Sequence, residues 1–201
     1  IGDNMWGLVE SGSITKLISK PKGMVIGDIR YSRKIFELWS KAELEAKGIY
    51  EVEYDNTNQK DETWYINTDQ SFAFAGGKIT ASYGSATARP HADVLFTAQD
   101  ESDGKGTEGE VAVEGLKTIK IREIKKQAAG ELAKTDWYVV RKADAGTAVP
   151  SAITTHRAAV RTKAAEQETA ITNAADTAAI ETLYTYVDGS RPLGELPTLE
   201  S

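Results

Sequence analysis

The chain of 201 residues has no cysteine and only two histidines. No cysteine means no disulfide framework, no thiol nucleophile, no iron–sulfur cluster and no thiolate zinc site. Two histidines, His91 and His156, are too few for a multi-histidine zinc site. The redox compartment stays open, because a cysteine-free chain suits either side of a membrane. No run approaches the ~20 apolar residues that a membrane span requires. The opening Ile1-Gly2-Asp3-Asn4-Met5-Trp6 lacks the basic start and apolar stretch of a signal peptide, and Met5 reads as a natural start. Positive charge is also in deficit. Twenty-four basic side chains face 30 acidic ones, net −6, which argues against bulk nucleic-acid binding. What is present is ordinary for a folded domain: 40% hydrophobic and 27% charged residues. A chain of this length buries roughly 70% of its extended surface, enough for a core without staples.

The composition changes along the chain. Twelve of the 16 aromatic residues precede residue 100, and residues 1–115 carry net −7 against +1 for residues 116–201. After about residue 115 the chain is rich in Ala, with Ile, Leu and Val at helical spacing. The expected class is α+β: a small aromatic-rich antiparallel β domain with one short helix over 1–84, an acidic Gly-rich linker or loop over 85–115, a helical domain over 116–187 and a tail over 188–201.

Turn chemistry sets the β part. Ser11-Gly12 separates two strand-like runs, Trp6–Glu10 and Ser13–Ile18. Gly27-Asp28 sits between Met24-Val25-Ile26 and Ile29-Arg30-Tyr31, and Gly76-Gly77 between Ser71–Ala75 and Lys78–Tyr83. A Gly-Gly pair permits the positive φ angles of a two-residue primed turn. Ser40 and Glu43 form an S-x-x-E capping box for a helix that Gly48 ends. Ile49–Tyr54 and Glu62–Asn67 read as further strands. Residues 84–110, with Pro90 and the run Asp100-Glu101-Ser102-Asp103-Gly104, predict a long loop.

In the helical part, Ile121, Ile124, Ala128 and Leu132 form one stripe on a helix from Leu116 to about Lys134. Asp136 caps or turns the chain before Trp137-Tyr138-Val139-Val140. Ser151 is the expected N-cap of a second helix with Ile153, Arg157, Val160, Ala164 and Ile171 on one face, and Asp176 that of a third with Ile180, Leu183, Tyr184 and Val187. The two long helices predict an antiparallel hairpin. The tail, with Pro192 and Pro197, has little core of its own.

No chemistry-bearing motif outweighs its structural alternative. Gly104-Lys105-Gly106-Thr107-Glu108-Gly109 matches G-x-G-x-x-G literally. A dinucleotide fold needs a helix to open directly after it, whereas Glu110-Val111-Ala112-Val113 reads as a strand, and the acids before it repel phosphate. An EF-hand fails at Gly104, which offers no ligand side chain. A Ser–His–Asp triad is not excluded by counting, but no G-x-S-x-G elbow is present. The basic residues Lys117, Lys120, Arg122, Lys125, Lys126, Lys134, Arg141 and Lys142 suit the solvated face of an amphipathic helix better than a phosphate-binding surface. A dock onto the acidic N-terminal part or onto an acidic partner is a third reading. Trp39, Trp64, Tyr65 and Tyr83 suit a core better than a sugar-binding platform. The chain is therefore expected to be no enzyme, with no cofactor and no catalytic or metal-ligating residues.

The run Leu132-Ala133-Lys134-Thr135-Asp136-Trp137, followed by Pro150 and a helix carrying Arg157-Ala158-Ala159-Val160-Arg161, resembles the C-terminal domain of phage tail assembly chaperones. The likeness covers roughly residues 116–187. Met5–Gly12, Phe36–Leu44 and the Phe72–Tyr83 hairpin are similar to N-terminal halves of small tail-associated proteins of marine phages. His156 departs from the pattern, standing where an aromatic residue commonly precedes the first Arg. The stretch around Asp100–Gly109 looks like an addition. The resemblance implies a non-enzymatic tail or tail-fibre protein, in the virion tail or in the host cytoplasm during assembly. It would act by protein–protein binding, as a retained joint or as an assembly chaperone. Its partner would be a tail or fibre protein, with further copies of the chain following tail symmetry as a second kind, and neither nucleic acid nor membrane. Asp136, Trp137, Arg157 and Arg161 are the candidate partner-binding residues. A salt bridge from the arginines to Asp136 or Asp144 is their structural alternative. The rival function is a carbohydrate-binding host-recognition module using the N-terminal aromatics, which requires Trp64 or Tyr65 to be exposed.

Overall fold

The computed structural model describes residues 4–199. The chain is α+β and divides into two units, residues 1–87 and 88–201.

The first unit is built on hairpins. Strands β1 (Trp6–Glu10) and β2 (Ser13–Ile18) pair antiparallel about Ser11 and Gly12, whose φ angles are 51° and 78°. This is the turn that the Ser-Gly pair predicts. Strands β3 (Met24–Ile26) and β4 (Ile29–Tyr31) form a second hairpin. Two short helices follow, α1 (Ile35–Leu38) and α2 (Lys41–Glu45), one more than the sequence suggests. Helix α2 carries the expected reciprocal capping box between Ser40 and Glu43. Then come β5 (Ile49–Asp55), β6 (Tyr65–Ile66), β7 (Ser71–Ala75) and β8 (Lys78–Ser82). The five-stranded sheet has the order β2-β1-β5-β8-β7. It is antiparallel except for one parallel pair, β5 with β8, which an all-hairpin reading misses.

Each face of this sheet carries a buried apolar cluster. Alternation along β1 sends Trp6 and Leu8 to a core with Ile18, Met24, Ile35, Leu44 and Ile49, under the β3–β4 hairpin and the short helices. It sends Met5 and Val9 to the other face, with Val52, Ile79 and Ala81. Gly7 lies on that second face, where a Cβ would stand 2.4 Å from the Ile79 Cδ1. A side chain at position 7 would therefore displace a fully buried isoleucine.

The second unit begins at Ala88, within β9 (Thr87–Ala88). Within the expected loop lie strand β10 (Val94–Leu95) and helix α3 (Ala98–Ser102), and β10 pairs with β11 (Val111–Val113), the strand foreseen there, in a two-stranded ribbon with α3 at its far end. Thr97 and Asp100 make a capping box on α3. Phe96 packs over Gly106, where a Cβ would be 2.4 Å from its ring. The glycines of the G-x-G-x-x-G string thus serve a compact turn.

Helices α4 (Leu116–Ala133) and α6 (Ser151–Asn173) form the hairpin that the apolar stripes predict. They run antiparallel: Lys117 donates to the Thr172 carbonyl at one end, and Arg157 to the Leu132 carbonyl at the other. Ile124, Ala128, Val160, Ala164 and Ile171 fill the seam. Between them lies a helix not expected from the sequence, α5 (Asp136–Ala145). Ser151 is the first residue of α6 and not its N-cap, a place that Pro150 takes. Pro is preset for helix entry and needs no side-chain bond there. Helix α7 (Thr177–Tyr184) is capped by Asp176 as expected. It ends four residues before Asp188, leaving Val187 exposed outside the stripe. The tail is fastened. Leu193 is buried in the helical core, and buried Gln167 donates to the Gly194 carbonyl at 2.9 Å.

Candidate partner-binding surface on the helical unit

The four candidate residues fall on two sides of one junction, the turn from α4 into α5. Thr135 at that turn is completely buried. Its N–H and its hydroxyl both donate to the Leu132 carbonyl, at 3.1 and 3.0 Å. Arg157 reaches across from the second turn of α6. Its Nη1 lies 2.7 Å from the Leu132 carbonyl, 2.7 Å from the Thr135 Oγ1 and 2.8 Å from the Asp136 Oδ1. The guanidinium therefore caps a helix end whose last carbonyls have no partner within the helix. It also pairs with a carboxylate. The salt bridge named as the structural alternative for this arginine is present, and Asp136 and Arg157 face each other within the chain.

Trp137 points the other way. On α5 it shares a face with Val140 and Arg141, three and four residues on. Trp137 is 53% exposed and Val140 is 65% exposed. The Trp137 and Tyr138 rings lie 4.0 Å apart, and the Arg141 guanidinium sits 4.6 Å above the indole. Indole, guanidinium and valine thus form a rigid, amphipathic, solvent-facing patch. Trp and Arg are among the side-chain types that dominate protein–protein binding energy.

Arg161 lies apart from Asp136. With Val139, Lys142, Val149, Thr154 and Arg157 it lines a groove of about 350 Å³ between α5 and the start of α6. Neither Arg161 nor Lys142 makes an ion pair among the described residues. The groove combines apolar side chains with cationic ones.

Most of the other basic residues are paired. Arg122 makes a two-pronged bridge to Glu114, Lys120 pairs with Glu123, Lys134 with Glu131, and Lys125 approaches Glu168 at 3.6 Å. That suits a solvated helix face better than a phosphate-binding one. Trp64 and Tyr65 are 6% and 8% exposed, so neither offers a ring face to a sugar. His156 is partly buried, and its Nε2 has no hydrogen-bond partner.

Set against protein-family models, curated proteins and solved structures, the chain has no match in any of the three.

Proposed function

We propose that this chain is a non-enzymatic bacteriophage tail or tail-fibre-associated protein that acts by binding another tail protein through the outer face of α5. The observation that carries the reading is the division of labour at the Thr135-Asp136-Trp137 turn. Thr135 and Asp136 are tied inward to Arg157, while Trp137 is held outward with Arg141 stacked on it. A tryptophan held half-exposed on a braced turn is a preorganised anchor, and preorganisation lowers the cost of binding. The Thr-Asp-Trp run, Pro150, Arg157 and Arg161 also follow the pattern of tail assembly chaperones. The sugar-binding alternative loses its named platform with the burial of Trp64 and Tyr65.

Quantitative mass spectrometry of purified particles against infected-cell lysate tests the proposal. A fixed stoichiometry in particles makes the protein a retained joint of the virion tail. Abundance in lysate with absence from particles, together with co-purification with a fibre protein, makes it an assembly chaperone. Absence from particles and from every tail-protein complex would overturn the proposal.

A further inference from the structure

The ribbon at one end of the helical unit and the groove at the other are complementary. Val94, Leu95, Val111 and Val113 make two cross-strand apolar pairs, Val94 with Val113 and Leu95 with Val111, and all four are about half exposed. Nothing among the described residues covers them. The segment from Asp93 to Glu114 holds seven acids and one lysine. Lys105 is taken by Asp100 and Asp103, whereas Glu108 and Glu110, next to β11, make no ion pair among the described residues. The ribbon is therefore apolar with an unneutralised acidic edge. The α5–α6 groove is its converse: Val139, Ala148 and Val149 beside the unpaired cations Lys142 and Arg161.

A single copy cannot bring the two together. The ribbon is rooted at the N-terminus of α4. There Asp93 accepts from the Gly115 N–H at 2.7 Å and from the Thr118 hydroxyl at 2.9 Å, and the Leu116 N–H donates to the Pro90 carbonyl. The groove lies beyond the C-terminus of the same helix, 18 residues or about 27 Å away. We propose that the acidic β10–β11 ribbon of one copy docks in the basic α5–α6 groove of the next, so that copies of this chain join head to tail. Because the two surfaces differ, the contact is heterologous and builds a closed ring or an open filament, not an isologous pair. It uses the face of α5 opposite Trp137 and does not depend on the tail-protein reading.

Sedimentation velocity of the full chain at low salt tests this. The wild type should gain mass with concentration and lose it at high salt, since exposed charge pairs are screened. Reversing the groove (Lys142→Glu with Arg161→Glu) or the ribbon (Glu108→Lys with Glu110→Lys) should weaken association about tenfold or more. Mixing the two reversed proteins should restore it, because each reversed surface then meets its complement. Val113→Ser, a change at an exposed site, gives a charge-independent loss. Trp137→Ala should leave association unchanged, which separates this contact from partner binding. A wild type that stays monomeric, reversals that leave the mass unchanged, or a mixture of folded reversed proteins that does not associate would overturn the proposal.

Discussion

The Arg157 Nη1 lies 2.7 Å from the Leu132 carbonyl oxygen, so a side chain of α6 closes the last turn of α4. The same nitrogen holds the Thr135 hydroxyl and the Asp136 carboxylate, and the question is which bond matters. Arg157 is 9% exposed, whereas the Asp136 side chain is 58% exposed. Water screens the ion pair, whereas the Thr135 hydroxyl that Arg157 holds is completely buried. Arg157→Ala should therefore cost about 2 kcal/mol or more, the loss of buried hydrogen bonds from a charged donor. Asp136→Asn should cost no more than about 1 kcal/mol, as for an exposed pair. Urea unfolding of the two variants decides it, and equal losses would mean that the ion pair is the main support.

Trp137→Ala should fold like the wild type. An exposed substitution away from caps and core changes stability by about 0.5 kcal/mol or less. Capture of the tail partner should fall at least about tenfold, the loss of one binding hot spot. Thermal melts beside pull-downs separate the two effects. A variant that binds normally would exclude the outer face of α5 as the contact.

Two glycines of the first unit make a controlled comparison. Gly48 has φ +78°, and a Cβ there would stand 2.5 Å from the Val9 carbonyl oxygen. That backbone oxygen has little room to move, because β1 is paired on both sides. Gly76 has φ +59° with open space around it. Gly76→Ala should cost about 1 kcal/mol, the left-handed strain alone. Gly48→Ala should cost about 3 kcal/mol or more, strain plus collision. Denaturant midpoints of the two variants check the order.

Asp100 makes the ribbon sensitive to acid. The Thr97 N–H first, then the Thr97 hydroxyl and Lys105, hold its carboxyl down at about 2, below its ordinary 3.8. A lowered folded value stabilises the fold above pH 3.8, and that contribution disappears as pH falls from 3.8 through about 2. Carboxyl chemical shifts should place the midpoint near 2, and α3 should remain capped at pH 4. A midpoint at the ordinary value would mean that the Thr97–Asp100 box is absent in solution.

Local rules made much of the fold legible. Ser11-Gly12, Gly27-Asp28 and Gly76-Gly77 each mark a turn because few residues accept positive φ, and the structure has a hairpin at each. Ser40 with Glu43 and Asp176 cap the helices that they predict. Helix α5 was hidden, because Trp137-Tyr138-Val139-Val140 has strand propensity and Thr135 gives no local cap bond. Its start is fixed from α6, by Arg157, through a contact 22 residues distant in sequence. The capping box of α3 escaped because Asp100 fills the place usually held by Glu. At the candidate surface the residue types were legible and their directions were not. That Arg157 turns inward while Arg161 borders a groove depends on how α5 lies against α6.

The parallel pairing of β5 with β8 bears on the order of assembly. Every other contact in that sheet joins strands linked by a tight turn, or places β5 against β1. Val52 and Ile79 can meet only after the 26 intervening residues have been drawn into a closed loop. Loop closure of that kind raises the barrier to folding, whereas the backbone hydrogen bonds within α4 and α6 join residues only four apart. On dilution from denaturant, the half of the molecule that is synthesised last should be the first to acquire its native form.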